Sequence, residues 1–120
     1  MVKVLVVEDT PSEMKLMTLY LKDNGYQVVS ANNAKDGLNL VDKEKPDVVI
    51  TDVVMEGMNG FEFCRILKRN PDTSKIPVIA CTSRDQDLDK LWGKKQGVDV
   101  YVTKPYSQDD IINAVKSVAN

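Results

Sequence analysis

The stretch VVITDVVMEGMNG, from Val48 to Gly60, decides how this sequence is expected to fold. It opens with a run of β-branched apolar residues, which is typical of a strand buried on both faces of a sheet. The run ends on an acid, Asp52, and a loop rich in Gly and Met follows. The question is why a buried strand should end in an acidic residue.

Strand and helix patterns alternate five times along the chain. Short apolar runs predict strands over residues 3–7, 27–31, 47–51, 78–81 and 100–102. Five helices are predicted from apolar residues at helical spacing: Met14, Met17 and Leu21; Ala34, Leu38 and Val41; Phe61, Cys64 and Leu67; Leu88, Leu91 and Trp92; Ile111, Ile112, Val115 and Val118. This alternation predicts an α/β fold with a parallel sheet and helices on both faces. Five strands favour the flavodoxin-like (βα)5 arrangement with strand order 2-1-3-4-5.

Three helices have recognisable N-terminal signals. Thr10 is predicted to cap the first helix, with Pro11 in its first turn and Glu13 completing a capping box. Asn33 and Ser107 are predicted to cap the second and the last helix.

Length and composition exclude several classes of protein. The chain has 120 residues, 42% of them apolar, and a net charge of -2, which predicts one globular domain over residues 1–120. It has no clustered basic segment for nucleic acid and no apolar run near the ~20 residues that span a bilayer. The N-terminus lacks signal-peptide features, so we expect a cytoplasmic protein without membrane insertion.

The absence of histidine limits the possible chemistry. Ser-His and Cys-His catalysis are excluded, because both need a His. Cys64 and Cys81 are far apart in the sequence, and we expect both to be small buried residues rather than zinc ligands.

Polar residues follow four of the five predicted strands: Glu8 and Asp9, then Asp52, then Thr82 and Ser83, then Lys104 and Pro105. Ligands of an open parallel sheet bind outside the carboxyl ends of its strands, so these side chains should converge. Clustered carboxylates repel one another and raise the pKa of at least one of them. A Mg²⁺ ion would remove that conflict and leave Asp52 as a nucleophile able to form an aspartyl phosphate. Lys104 and Thr82 could then contact the phosphoryl oxygens.

This pattern resembles the receiver domain of two-component response regulators, specifically the single-domain, chemotaxis-type members, over essentially the whole chain. The residues that carry the resemblance are Glu8-Asp9, Asp52 with Met55 and Met58-Asn59-Gly60, Thr82, Tyr101 and Lys104-Pro105. The resemblance implies a stand-alone phosphoacceptor in a signalling pathway rather than a metabolic enzyme. A sensor histidine kinase or phosphotransfer protein would supply the phosphoryl group, and the chain would catalyse Mg²⁺-dependent transfer and slow autodephosphorylation.

The resemblance also implies roles for the acidic residues. Asp52 would be the phosphoacceptor. Asp9, Asp52 and the backbone carbonyl of Val54 would bind Mg²⁺ directly, and Glu8 would act through a water molecule.

Further implied roles concern the phosphoryl group and the output. Thr82 and Lys104 would contact the phosphoryl group, the Lys104–Pro105 bond would be cis, and Tyr101 would be a switch that follows Thr82. The fourth helix, fifth strand and fifth helix would form the output face for a protein partner, with the candidate contacts Trp92, Lys94, Lys95, Tyr101 and Tyr106. On the residues alone, a solvated face with one apolar anchor is the favoured interpretation of Trp92, Lys94 and Lys95.

Some positions depart from the usual pattern of the family. Glu56 stands where Pro is usual, which predicts a looser and more acidic loop, and Ser83 and Tyr106 replace the common Ala and Phe. Val54 is bulky and apolar, and we expect Val54 and Ser83 to tune the attack of water on the phosphoryl group.

Other functions stay open on the residues alone. An aspartyl-phosphate phosphatase would have a second Asp two residues after the nucleophile, where Val54 stands. A flavin carrier would place FMN at the same edge of the sheet, where Glu8 and Asp9 would repel its phosphate. A degenerate receiver would bind partners without phosphorylation, although the acidic set is intact. No GxxxxGK[ST] loop is present, which disfavours nucleotide hydrolysis of the P-loop kind.

Overall fold

A computed structural model of the chain describes residues 1–83 and 93–119. Five strands form one parallel sheet: β1 Lys3–Val7, β2 Gln27–Ala31, β3 Val48–Asp52, β4 Val78–Thr82 and β5 Val100–Thr103. Their order is β2-β1-β3-β4-β5, which confirms the predicted topology. In this order β1 and β3 are neighbours, so the residues that follow them meet at one edge of the sheet.

The described helices are α1 Pro11–Asp23, α2 Ala34–Glu44, α3 Gly60–Arg69 and α4 Gln108–Val118. These helices cover both faces of the sheet. Helices α2 and α3 pack on one face over one buried cluster, and α1 and α4 pack on the other face over a second cluster. The predicted helix marked by Leu88, Leu91 and Trp92 has these three residues outside the described ranges. Residues 93–95 are helical.

Strand β1 shows why a strand of this sheet has a continuous run of apolar residues in its sequence. Its side chains point alternately to the two faces of the sheet. Leu5 and Val7 enter the cluster under α2 and α3, whereas Val4 and Val6 enter the cluster under α1 and α4. All four side chains are buried, since helices cover both faces.

Strands β3, β4 and β5 each end one residue later than predicted, and β3 also begins one residue later, at Val48. Asp52 pairs with Cys81 and Thr82 with Thr103, so Asp52 and Thr82 are the last residues of their strands rather than the first residues of loops. This difference matters for the site, because both side chains are positioned by the rigid sheet.

The predicted caps at Asn33 and Ser107 are confirmed, whereas the predicted capping box at Thr10 is wrong. The Asn33 side chain accepts the N–H of Asp36, and Ser107 forms a capping box with Asp110. Pro11 does open α1, but the Thr10 side chain makes no capping hydrogen bond.

None of the helices within residues 1–83 and 93–119 is long and apolar enough to cross a membrane.

Candidate functional site

The carboxyl edge of the sheet brings together charged residues from three strands. Glu8 follows β1, Asp52 ends β3 and Lys104 follows β5. The Lys104 Nζ atom lies 3.2 Å from Asp52 Oδ2 and 3.4 Å from Glu8 Oε1. The two acids are buried, with exposed fractions of only 6% for Glu8 and 8% for Asp52. The convergence expected from strand order is therefore present for these three residues.

Glu13 is a member of this site that the sequence analysis missed. Its Oε1 atom lies 3.0 Å from Lys104 Nζ, which is the shortest of the three ion pairs that this lysine makes with described residues. Instead of completing a capping box, the Glu13 side chain on the first turn of α1 pairs with the lysine. The available signal was its position on a helix whose N-terminus follows β1 at the carboxyl edge of the sheet.

Asp9 lies in a different environment from Glu8. Its Oδ2 atom accepts the backbone N–H of Glu56 at 3.2 Å, which joins the loop after β1 to the loop after β3. A proline at position 56 has no N–H and could not make this bond. The departure from the family pattern at Glu56 thus supplies an anchor for a loop that was predicted to be looser.

The acidic side chains have unusual electrostatics. Burial raises the pKa of Glu8 to about 7, repulsion from Asp52 adds to the rise, and the Thr10 N–H that donates to Glu8 opposes it. Burial also raises the pKa of Asp52, against the opposing effect of Lys104. Burial disfavours the charged form of Lys104, but its bond to Glu13 and the charges of Asp52 and Glu8 give a net rise in its pKa. The site therefore holds a protonated lysine beside Glu8 and Asp52, two carboxyl groups whose pKa values are raised.

These donors fit a small, hard cation. Among residues 1–83 and 93–119, one group of three potential metal-ligating side chains comes together, and its members Glu8, Glu13 and Asp52 offer oxygens within 4.8 Å of one another. Carboxylate oxygens suit Mg²⁺, and a divalent charge would favour the ionised forms of Glu8 and Asp52, which burial and, to a smaller extent, carboxylate repulsion disfavour. Asp9 is not a member of this group, and its role as a direct ligand stays a prediction, as does that of the Val54 carbonyl.

The other predicted site residues lie around this centre. Thr82 is buried at the end of β4, and its carbonyl accepts the N–H of Lys104 at 2.8 Å. The Lys104–Pro105 peptide bond is cis, the isomer that the resemblance implies. The Val54 side chain is 57% exposed and Ser83 is also exposed.

The predicted output face is partly described. Lys94 and Lys95 are exposed, and Trp92 lies outside the described residues. Tyr101 is half-buried, with its ring edge-to-face against Phe61 at a centroid distance of 6.3 Å. Tyr106 is also half-buried and packs edge-to-face against Tyr20 at 6.4 Å.

Both cysteines are free and buried, as predicted. Burial raises the pKa of the Cys64 thiol to about 11 and that of Cys81 to about 12. Neither thiol is poised for reaction at neutral pH, because the thiolate is the nucleophilic form.

Comparison with known proteins gives consistent matches along the chain. A family model for the response regulator receiver domain matches residues 4–116. The protein PilH of Pseudomonas aeruginosa is 45% identical over 118 residues, covering 98% of each chain. The structure of the Vibrio cholerae chemotaxis protein CheY4 superposes with a TM-score of 0.94 at 30% identity over 98% of each chain. The receiver domain of the Francisella response regulator 1452 gives a TM-score of 0.91 at 30% identity, with 98% of this chain and 96% of that chain covered.

Proposed function

Because the chain belongs to the response regulator receiver domain family, we propose that Asp52 accepts a phosphoryl group from a sensor histidine kinase or phosphotransfer protein. Phosphorylation then changes the binding of a downstream protein. The observation that carries this proposal is the buried Asp52 carboxylate at a strand end, with the Lys104 ammonium 3.2 Å from Oδ2. A strand end fixes the nucleophile, and the lysine places a positive charge where phosphoryl oxygens would arrive.

The chemistry asked of Asp52 is nucleophilic substitution at phosphorus. A carboxylate oxygen forms the new P–O bond while the P–N bond to the donor imidazole breaks, so the phosphoryl group moves and nothing is oxidised or reduced. The nucleophile must be ionised. Burial opposes ionisation of Asp52, and the charge of Lys104 favours it.

Lys104 and Thr82 flank the acceptor from β5 and β4. The lysine would keep its positive charge beside the phosphoryl oxygens, because its pKa is raised by the surrounding carboxylates. The Thr82 hydroxyl can donate a hydrogen bond to one of the same oxygens. Slow hydrolysis of the aspartyl phosphate would end the signal.

The proposed metal site uses Glu8, Asp9, Asp52 and the Val54 carbonyl, as the family resemblance implies. When bound, Mg²⁺ supplies positive charge against the carboxylates and the incoming phosphoryl oxygens. The charge of the metal would favour the ionised form of Glu8, whose pKa is raised by burial and by repulsion from Asp52.

The proposed output runs through Tyr101 to a protein partner. In the sheet Tyr101 pairs with Ala80, two residues before Thr82, so the switch and the site share the β4–β5 ladder. A change at Thr82 could be followed by the half-buried Tyr101 ring on Phe61. The exposed Lys94 and Lys95, with Trp92 and Tyr106, complete the face proposed to meet the partner.

A cytoplasmic site of action is part of the proposal. Cys64 and Cys81 are both free thiols, which accords with a reducing compartment.

Acetyl phosphate with Mg²⁺ provides the test of phosphorylation. Intact mass should show one phosphoryl adduct on the native chain, none on Asp52→Asn, and none when Mg²⁺ is chelated. Asp23→Asn is a matched control, because Asp23 is an exposed acid at the end of α1. An adduct that persists in Asp52→Asn, or its absence from the native chain, would contradict the proposal.

A further inference from the structure

Lys104 is held by three carboxylates that differ in their exposure to water. Glu13, Asp52 and Glu8 lie 3.0, 3.2 and 3.4 Å from its Nζ atom. Nζ donates hydrogen bonds to Glu13 and Glu8 and forms an ion pair with Asp52, so within the described residues its three N–H donors face carboxylates. A phosphoryl oxygen that binds Lys104 therefore competes with these carboxylates for the ammonium group.

Glu13 is the partner that costs least to release. Its side chain is 36% exposed, against 6% for Glu8 and 8% for Asp52. A carboxylate that already touches water can be rehydrated when it loses the lysine, whereas a buried carboxylate left without its partner is strongly penalised. Asp52 is itself the proposed acceptor and must stay beside the phosphoryl group.

The geometry points to Glu13 as a positioning residue that retains Lys104 in the unphosphorylated protein and competes with the phosphoryl group for it. Phosphorylation of Asp52 breaks the Glu13–Lys104 ion pair, and the lysine moves to the phosphoryl oxygens. Glu13 thereby sets how readily the phosphorylated form is populated. This inference rests on the proposed function of Asp52.

Binding of beryllofluoride, a stable mimic of the phosphoryl group, provides the test. With Mg²⁺ present, Glu13→Gln should bind beryllofluoride more tightly than the native chain, by roughly two- to fivefold, the range expected for a partly exposed ion pair. Asp23→Asn removes the same charge from the same helix, far along α1, and should bind like the native chain. Equal melting temperatures of the variants would show that the change arises at the site.

A charge-conserving variant separates competition for Lys104 from simple repulsion of the anion. Glu13→Asp keeps the negative charge but shortens the side chain by one methylene, so its carboxylate no longer reaches Lys104 equally well. Competition predicts tighter binding in both Glu13→Asp and Glu13→Gln. Repulsion alone predicts tighter binding only in Glu13→Gln, and that result would overturn the inference.

The outcomes also distinguish this inference from the proposed function. Native binding of beryllofluoride with unchanged or weaker binding by Glu13→Gln would overturn the role of Glu13 and leave Asp52 as the acceptor. Failure of the native chain to bind the mimic would overturn both.

Discussion

Gly93 and Tyr101 are packed so closely that a methyl group on Gly93 would overlap the Tyr101 hydroxyl. The same methyl carbon would lie 2.8 Å from Cε1 of Phe61, whose ring packs on Tyr101. Gly93 thus provides the space in which the half-buried tyrosine ring lies. This space is specific to glycine, since any side chain at position 93 would collide with the ring.

We expect Gly93→Ala to displace Tyr101 and destabilise the protein by about 1–3 kcal/mol, the usual cost of overpacking. Urea unfolding of the variant measures this loss. In a Tyr101→Ala background the overlap with the tyrosine is absent and only the contact with Phe61 remains, so Gly93→Ala should cost clearly less stability than in the native background. An equal loss in both backgrounds would show that the overlap with Tyr101 is not the cause.

The raised pKa of Glu8 predicts a pH dependence of stability in the metal-free protein. Glu8 would release its proton near pH 4.5 in the unfolded chain and near pH 7 in the folded one. Between these two pH values Glu8 binds more protons in the folded state than in the unfolded state. The contribution of Glu8 to the free energy of unfolding therefore falls as pH rises through this window. In EDTA, the free energy of unfolding should therefore fall less in Glu8→Gln than in the native chain as pH rises through this window. Parallel pH profiles for the two proteins would contradict the raised pKa.

The buried cysteines should resist thiol reagents while the protein is folded. With a pKa of about 11, only about one Cys64 thiol in a thousand is ionised at pH ~8, and Cys81 is ionised still less. A colorimetric thiol reagent should detect almost no reaction in buffer and two thiols in urea. Rapid reaction of either cysteine in the folded protein would show that it is exposed.

Much of the fold could be predicted because it depends on local patterns. The apolar runs of β1 and β2 gave their bounds, and the side chains of Asn33 and Ser107 marked two helix starts. The last residues of β3 and β4 were missed, because Asp52 and Thr82 are polar and look like loop residues. Their place in the strands depends on pairing with Cys81 and Thr103, which local patterns do not show.

Part of the site could be predicted from the order of the strands. Strand order brings Glu8, Asp52 and Lys104 to one edge, so topology was enough to place them together. Glu13 and Lys104 are 91 residues apart in the sequence, and the local pattern around Glu13 fits a capping box equally well. The bond between Asp9 and the Glu56 N–H depends on loop geometry, which no residue pattern specified.

The position of the phosphoryl group in the modified chain tests the central claim most directly. The chain would be phosphorylated with acetyl phosphate and Mg²⁺, reduced with borohydride, which converts an aspartyl phosphate to homoserine, and then digested and sequenced by mass spectrometry. We predict homoserine at position 52 and at no other residue. Modification of Asp9, or a stable phosphate on Thr82 or Ser83 with Asp52 unmodified, would contradict Asp52 as the acceptor.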